Sequence, residues 1–183
     1  MDIPLMVKHA RKLYHLQQVE KEWIEFIEII IENNYKTLLE IGGAYGGSAW
    51  SLSHFLNEIV TVDVKKMPNK MINKIAKNCK FHFIFKDSRR AMKNVKAALK
   101  NEKADILFID GEHTYRGVAK DFRNMKQFIR KGGIIVFHDI TDSKYHRDGD
   151  CMVFKFWDKI KQNYKYLEFK FDKDWGGIGI IFV

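Results

Sequence analysis

The chain has 183 residues, 46% of them hydrophobic and 14% aromatic, with a formal net charge of +9 at neutral pH. That length fits one domain, expected over residues 1–183, and such a chain buries roughly 70% of its unfolded surface, so its core needs no covalent staple. Cys79 and Cys151 form no CxxC or zinc-ligand spacing and are too few for a disulfide framework, while Asp2, Lys8, Arg11 and Lys12 near the start fit neither a secretory signal nor a membrane span. A reducing cytoplasm is the expected compartment, with no membrane partner, and the mature chain is expected to start at Met1.

Residues 1–35 are expected to be a helical segment ahead of the core over 36–183. Within it Trp23, Phe26, Ile27, Ile30 and Ile31 recur at helical spacing, which predicts an amphipathic helix over about 18–33. Thr37–Ile41 is short and apolar and is closed by Gly42-Gly43, and a helical pattern resumes from Ser48 to Phe55. Strand, glycine turn and helix then alternate. Strands are predicted near Ile59–Val62, Phe81–Phe85, Ile106–Ile109 and Ile134–Phe137, with helices near 69–78, 88–100, 116–129 and 152–163. Such alternation argues for a parallel, doubly wound α/β sheet with helices on both faces. Tyr164–Phe171 and Ile178–Val183 are strand-like and leave no room for a helix between them, so they should form an antiparallel hairpin.

Charge is concentrated in one stretch. Residues 65–103 hold thirteen lysines and arginines against Asp87 and Glu102, a surplus of eleven, so the rest of the chain sums to −2. A solvated helix surface accounts for this most simply, and a site for an anionic partner is the rival reading. Phe81, Phe83 and Phe85 read as core, as do Phe154, Phe156 and Trp157, whereas Trp175 in the terminal turn is placed to border an acceptor pocket.

In an open α/β sheet, ligands bind beyond the carboxyl ends of the strands. All five such ends carry an acid: Glu40, Asp63, Asp87, Asp110 and Asp139. Any one alone reads as a cap for the next helix. Five in register would repel a nucleotide phosphate, which seeks backbone N–H groups and cations, and would suit a ligand bearing cations and a ribose diol. Asp63 follows Gly42 at about the spacing from which an acid reaches ribose hydroxyls. The turn from Gly42 to Gly47 is a near miss to the dinucleotide fingerprint, Glu40 two residues before it tips the reading toward a methyl donor, and no P-loop motif is present.

Leu39-Glu40-Ile41-Gly42 through Gly46-Gly47-Ser48, Thr61-Val62-Asp63, Lys86-Asp87-Ser88, Phe108 to Tyr115 and Gly132 to Asp139 together resemble the motifs of class I S-adenosylmethionine-dependent methyltransferases, particularly the small-molecule O-methyltransferase branch. The resemblance runs from about Gln18 to the C-terminus. It implies a Rossmann-like, mostly parallel seven-stranded sheet with a C-terminal antiparallel hairpin. It also implies S-adenosylmethionine bound by Glu40, Gly42, Gly43, Ala44, Tyr45, Gly46, Ser48, Asp63, Asp87, Ser88 and Asp110, and a small-molecule acceptor.

Methyl transfer to oxygen needs in-line alignment and a base for the acceptor's proton. His113, three residues after Asp110, can titrate near neutral pH, and related enzymes place a base at that offset. Asp110 and His138 complete the expected catalytic set. Metal-dependent relatives carry carboxylates or an amide where this chain has His138-Asp139, so Asp110, His138 and Asp139 are candidate ligands for a divalent metal ion, with histidine shifting preference from Mg²⁺ toward transition metals. Tyr115 and Asp121 read as structural, or as supports behind the residues that touch the ligand. Rival functions are an NAD(P)-dependent oxidoreductase, which wants phosphate-accommodating charge that the sequence does not offer, a donor-binding module without catalysis, and a methyltransferase acting on nucleic acid through residues 65–103. Short of that, the lysines are expected to give weak, non-specific nucleic-acid binding, and a homo-oligomer is compatible with the sequence.

Overall fold

A computed structural model of the chain describes residues 2–183. The N-terminal segment forms two helices, α1 (Ile3–Tyr14) and α2 (Glu20–Glu32). Asp2 caps α1 by accepting from the Leu5 N–H at 3.0 Å, and His15 ends it in the left-handed region at φ 56°.

The core runs β1 (Thr37–Ile41), α3 (Gly47–Leu52), β2 (Glu58–Asp63), α4 (Asn69–Ile75), β3 (Lys80–Phe85), α5 (Ser88–Ala98), β4 (Ala104–Ile109) and α6 (Tyr115–Met125). It continues with β5 (Ile129–His138), α7 (Lys144–Asp148), α8 (Val153–Ile160), β6 (Tyr166–Phe169) and β7 (Ile178–Phe182). All seven strands form one sheet in the order β3-β2-β1-β4-β5-β7-β6. Strands β1 to β5 pair in parallel, and β7 pairs antiparallel with both β5 and β6. The Rossmann-like sheet and terminal hairpin read from the sequence are therefore what the chain forms.

Alternation along each strand divides the core. Leu38, Ile59, Phe108 and Val136 point to the face covered by α1 to α4, while Leu39, Val60, Leu107 and Phe137 point to the face covered by α5, α6 and α8. Phe154, Phe156 and Trp157 are buried as read. Phe81 and Phe83 are only partly buried and Phe85 is exposed, because β3 is the edge strand and its end has no neighbour to cover it. The helix predicted to 129 stops at Met125, and a 3₁₀ turn over Lys126–Phe128 leads into a strand beginning at Ile129. This early start of β5 accommodates a register shift opposite Ala104 and Ile106, with Gly132 at φ +78°. Helix α7 was not anticipated; it is one turn capped by Ser143, too short to produce a period. Among the described residues no helix is long and apolar enough to cross a membrane.

Candidate functional site

The sheet order reverses between β1 and β4, and beyond their carboxyl ends lies a cleft of about 450 Å³. Gly42 makes this opening possible. It sits at φ +92°, and a Cβ there would lie 2.0 Å from the Asp110 carbonyl oxygen, so no side chain fits where the β1 turn crosses the end of β4.

Of the residues expected to hold the donor, Gly42, Ala44, Asp63, Asp87, Ser88 and Asp110 line this cleft. Gly43, Tyr45 and Ser48 line a smaller recess beside it, walled on the other side by His15, Gln17 and Gln18. Glu40 and Gly46 line neither. The Glu40 carboxylate is fully buried beneath the turn, where it accepts from the Ser48 hydroxyl and, at 2.6 Å, from the Thr61 hydroxyl. Burial pushes its pKa up to about 7 against the opposing pull of those two hydroxyls. Gly46, at φ +88°, caps the start of α3 against Met67 and Met71.

Asp63 is fixed by two backbone donors, Ala44 N–H and Lys65 N–H, each at 2.6 Å. Asp87 caps α5 and is gripped by the Arg89 guanidinium, which together hold its pKa down to about 2. Ser88 donates to Asp121 at 2.5 Å, and Asp121 also borders the cleft. The cleft is not purely acidic: Lys65, Lys86, Arg89 and Lys120 line it too. This corrects the expectation that phosphate-accommodating charge is absent, because β2 and β3 deliver Lys65, Lys86 and Arg89 of the basic segment to the lip of the cleft and α6 adds Lys120.

At the β4 and β5 ends, titratable groups converge. Asp110 Oδ1 lies 3.1 Å from His138 Nδ1 and 3.3 Å from His113 Nε2, and Gln18 donates to Asp110 Oδ2 at 2.7 Å. His138 Nδ1 is also 3.2 Å from Asp139 Oδ1, and His113 Nδ1 is 3.5 Å from Asp139 Oδ2. Burial alone would raise both carboxyls and lower His138, but the mutual attraction of these groups overrides it, holding Asp110 and Asp139 low and His138 well above its usual value. Its hydrogen bond to Asp110 raises His113, which is partly exposed at the mouth of the cleft. His138 stands behind Asp110, almost fully buried, and Trp175 packs beside it with Tyr145 and His146.

Four members of this region had no signal in the sequence. Gln18 reaches Asp110 across 92 residues of chain, and Glu22, wholly buried on α2, accepts from the N–H groups of Phe171 and Gly177 at 2.9 and 2.8 Å, clamping the hairpin turn that carries Trp175. His146 and Cys151 arrive through α7 and the segment after it. The ligating atoms of Asp110, His138 and Asp139 lie within 4.8 Å of one another, and His138 Nε2 and Asp139 Oδ1 have no hydrogen-bond partner among the described residues. That donor set fits a divalent cation.

Residues 39–140 match a family model described as a methyltransferase domain. A protein of Acanthamoeba polyphaga mimivirus, described as uncharacterized protein R132, is 40% identical over 68 residues; the match covers 37% of this chain and 30% of that protein, so less than a third of the relative's length is matched. The O-methyltransferase from Bacillus cereus, solved in complex with SAH, superposes with a TM-score of 0.70 at 17% identity, over 98% of this chain and 89% of that one. The MycE methyltransferase of the mycinamycin biosynthetic pathway, solved with Mg, SAH and mycinamycin VI, gives 0.66 at 16% identity over 100% of this chain and 54% of its own.

Proposed function

From the premise that the chain belongs to the methyltransferase-domain family, which the match over residues 39–140 establishes, we propose that it transfers the methyl group of S-adenosylmethionine to a hydroxyl oxygen of a small molecule. The observation that carries this reading is the carboxylate row of Asp63, Asp87 and Asp110 along a cleft opened by Gly42. When bound, S-adenosylmethionine supplies an electrophilic methyl group on a cationic sulfur that leaves as a neutral thioether.

The chain's own residues do the rest. Asp63, with each oxygen already fixed by one backbone N–H, keeps lone pairs for the two ribose hydroxyls. Gly42 lets the backbone approach the donor, and Asp110, oriented by Gln18, favours the donor's cationic groups at the β4 end. Glu40 acts beneath the turn, setting its shape through Ser48 and Thr61. His113 takes the proton that the acceptor oxygen loses, once the ring is neutral and one nitrogen turns from its carboxylate to the acceptor. Trp175 and the exposed Tyr145, on the far side of His138, form the wall against which an acceptor ring would pack.

A divalent cation held by Asp110, His138 and Asp139 would polarise the acceptor hydroxyl and lower its pKa. The Mg bound in the MycE structure supports that reading by analogy of fold.

Calorimetry with S-adenosylmethionine, S-adenosylhomocysteine and NAD tests the donor. Both methionine-derived ligands should bind and NAD should not. Tight NAD binding with no heat from the other two would replace the methyltransferase reading with an oxidoreductase one.

A further inference from the structure

We infer that His113, Asp139 and Cys151 form a second cation site, sharing Asp139 with the Asp110–His138–Asp139 set and selective for a borderline or soft divalent ion such as Zn²⁺. One ligating atom from each of the three lies within 4.8 Å of the others. Donors on a tetrahedral zinc ion stand roughly 3.5 Å apart for a sulfur and a nitrogen, so closure asks for up to about 1.3 Å of side-chain movement.

The three residues come from the β4–α6 loop, the end of β5 and the segment after α7, and the backbone holds those segments together. Met152 N–H donates to the His113 carbonyl at 2.8 Å, and Cys151 N–H donates to the His146 carbonyl at 2.8 Å. Asp139 is held in the left-handed region at φ 62°, and Cys151 is buried.

His146 places a second buried imidazole beside Asp139. Its Nδ1 lies 2.7 Å from the Thr141 carbonyl oxygen, which can only accept, so Nδ1 carries the proton. Its Nε2 faces Asp139 Oδ1 at 3.4 Å, and neither atom has a hydrogen-bond partner among the described residues in an almost fully buried setting. Thiolate, imidazole and a single carboxylate make a poor shell for Mg²⁺, which wants oxygen, and a good one for zinc. Binding would release the Cys151 thiol proton to solvent, with water completing the shell.

The site has a consequence for turnover. His113 Nδ1 faces Asp139 and Nε2 faces Asp110, so an ion on Nδ1 leaves no nitrogen free to accept a proton from the acceptor. Only this consequence rests on the role proposed for His113; the binding itself does not.

The full chain, stripped with a chelator and titrated with Co²⁺ as a spectroscopic substitute for Zn²⁺, tests the site. Saturation should bring tetrahedral visible bands together with a near-ultraviolet thiolate-to-cobalt band, both lost on adding Zn²⁺. The thiolate band should vanish in Cys151→Ser and persist in Cys79→Ser. Cobalt bound without that band would place the ion on oxygen and imidazole ligands alone and overturn the proposal, as would absence of binding or loss of the band in Cys79→Ser. Should Cys151→Ser fail to fold, Cys79→Ser still decides, because Cys151 is then the only thiol in the chain.

Discussion

The roles proposed for Asp63 and His113 are separable, and substitution should separate them. Removing a carboxylate that accepts charge-assisted hydrogen bonds from a ribose diol costs about 1.5–3 kcal/mol, so Asp63→Ala should weaken S-adenosylmethionine about 10- to 150-fold by calorimetry. An unchanged dissociation constant in a folded variant would move the ribose elsewhere. His113→Ala should lower turnover about 10²- to 10⁴-fold and leave donor affinity near wild type, since a base acts on the acceptor. Equal turnover would remove His113 from the proton path and leave His138 as the next group to test. Glu40 makes a third claim, about stability. Its folded pKa of about 7 lies above the ordinary 4.5, so between those values the unfolded chain releases a proton that the folded chain keeps. Stability should therefore be highest below about pH 4.5 as far as this group is concerned and fall as pH rises through 7, by on the order of 3 kcal/mol in all. Glu40→Gln should flatten that descent in melting temperature against pH, and an identical slope in the variant would show that Glu40 titrates normally.

At the scale of elements, the β1 turn and the end of β4 are built as one unit. The chain passes so close at Gly42 that its missing side chain sets the spacing of the two strands between which the cleft opens, and Asp110 N–H donates to the Ile41 carbonyl at 2.8 Å across the same gap. Gly42→Ala must both strain a positive φ and push the strand ends apart. The expected loss is at least about 1–3 kcal/mol in denaturant unfolding, with weaker donor binding in what remains folded. A variant with wild-type stability and affinity would mean that the strand ends part freely. The resemblance to methyltransferase motifs identified this turn, yet the reason Glu40 matters lay in pairing that motif reading does not see: Thr61 is its partner in the parallel register of β1 and β2, and both residues are buried.

Across the whole molecule, the fold gathers the basic segment onto one rim. Helices α4 and α5 cover opposite faces of the sheet, and edge strand β3 runs between them, so Lys70 and Lys74 on α4 with Lys77 just past its end, and Lys93 and Lys96 on α5 with Lys100 just past its end, flank a free strand edge. Of the thirteen cations in this segment only Lys80 and Arg89 have a carboxylate partner among the described residues. Non-specific binding to duplex DNA with a dissociation constant of about 10⁻⁴–10⁻⁶ M at physiological salt is the expectation, tightening as salt falls. Reversing Lys93, Lys96 and Lys100 to Glu should abolish it, as read by fluorescence anisotropy of a labelled duplex, and leave small-molecule methylation intact. Robust methyl transfer to RNA or DNA that disappears with the reversal would make nucleic acid the acceptor.

The sequence by itself determined the alternation of strands and helices, the glycine turn, the row of acids at the strand ends and the terminal hairpin, because each is written in a local period or a short motif. Proximity across the chain was decided only by the tertiary structure. Gln18 on Asp110, Glu22 on the hairpin turn, and His146 and Cys151 around Asp139 come together through loops and short helices whose paths no local period specifies. The same limit explains Phe85 and the lysines at the cleft: alternation told that residues share a face, and only the position of β3 at the edge of the sheet decided which of them would meet solvent.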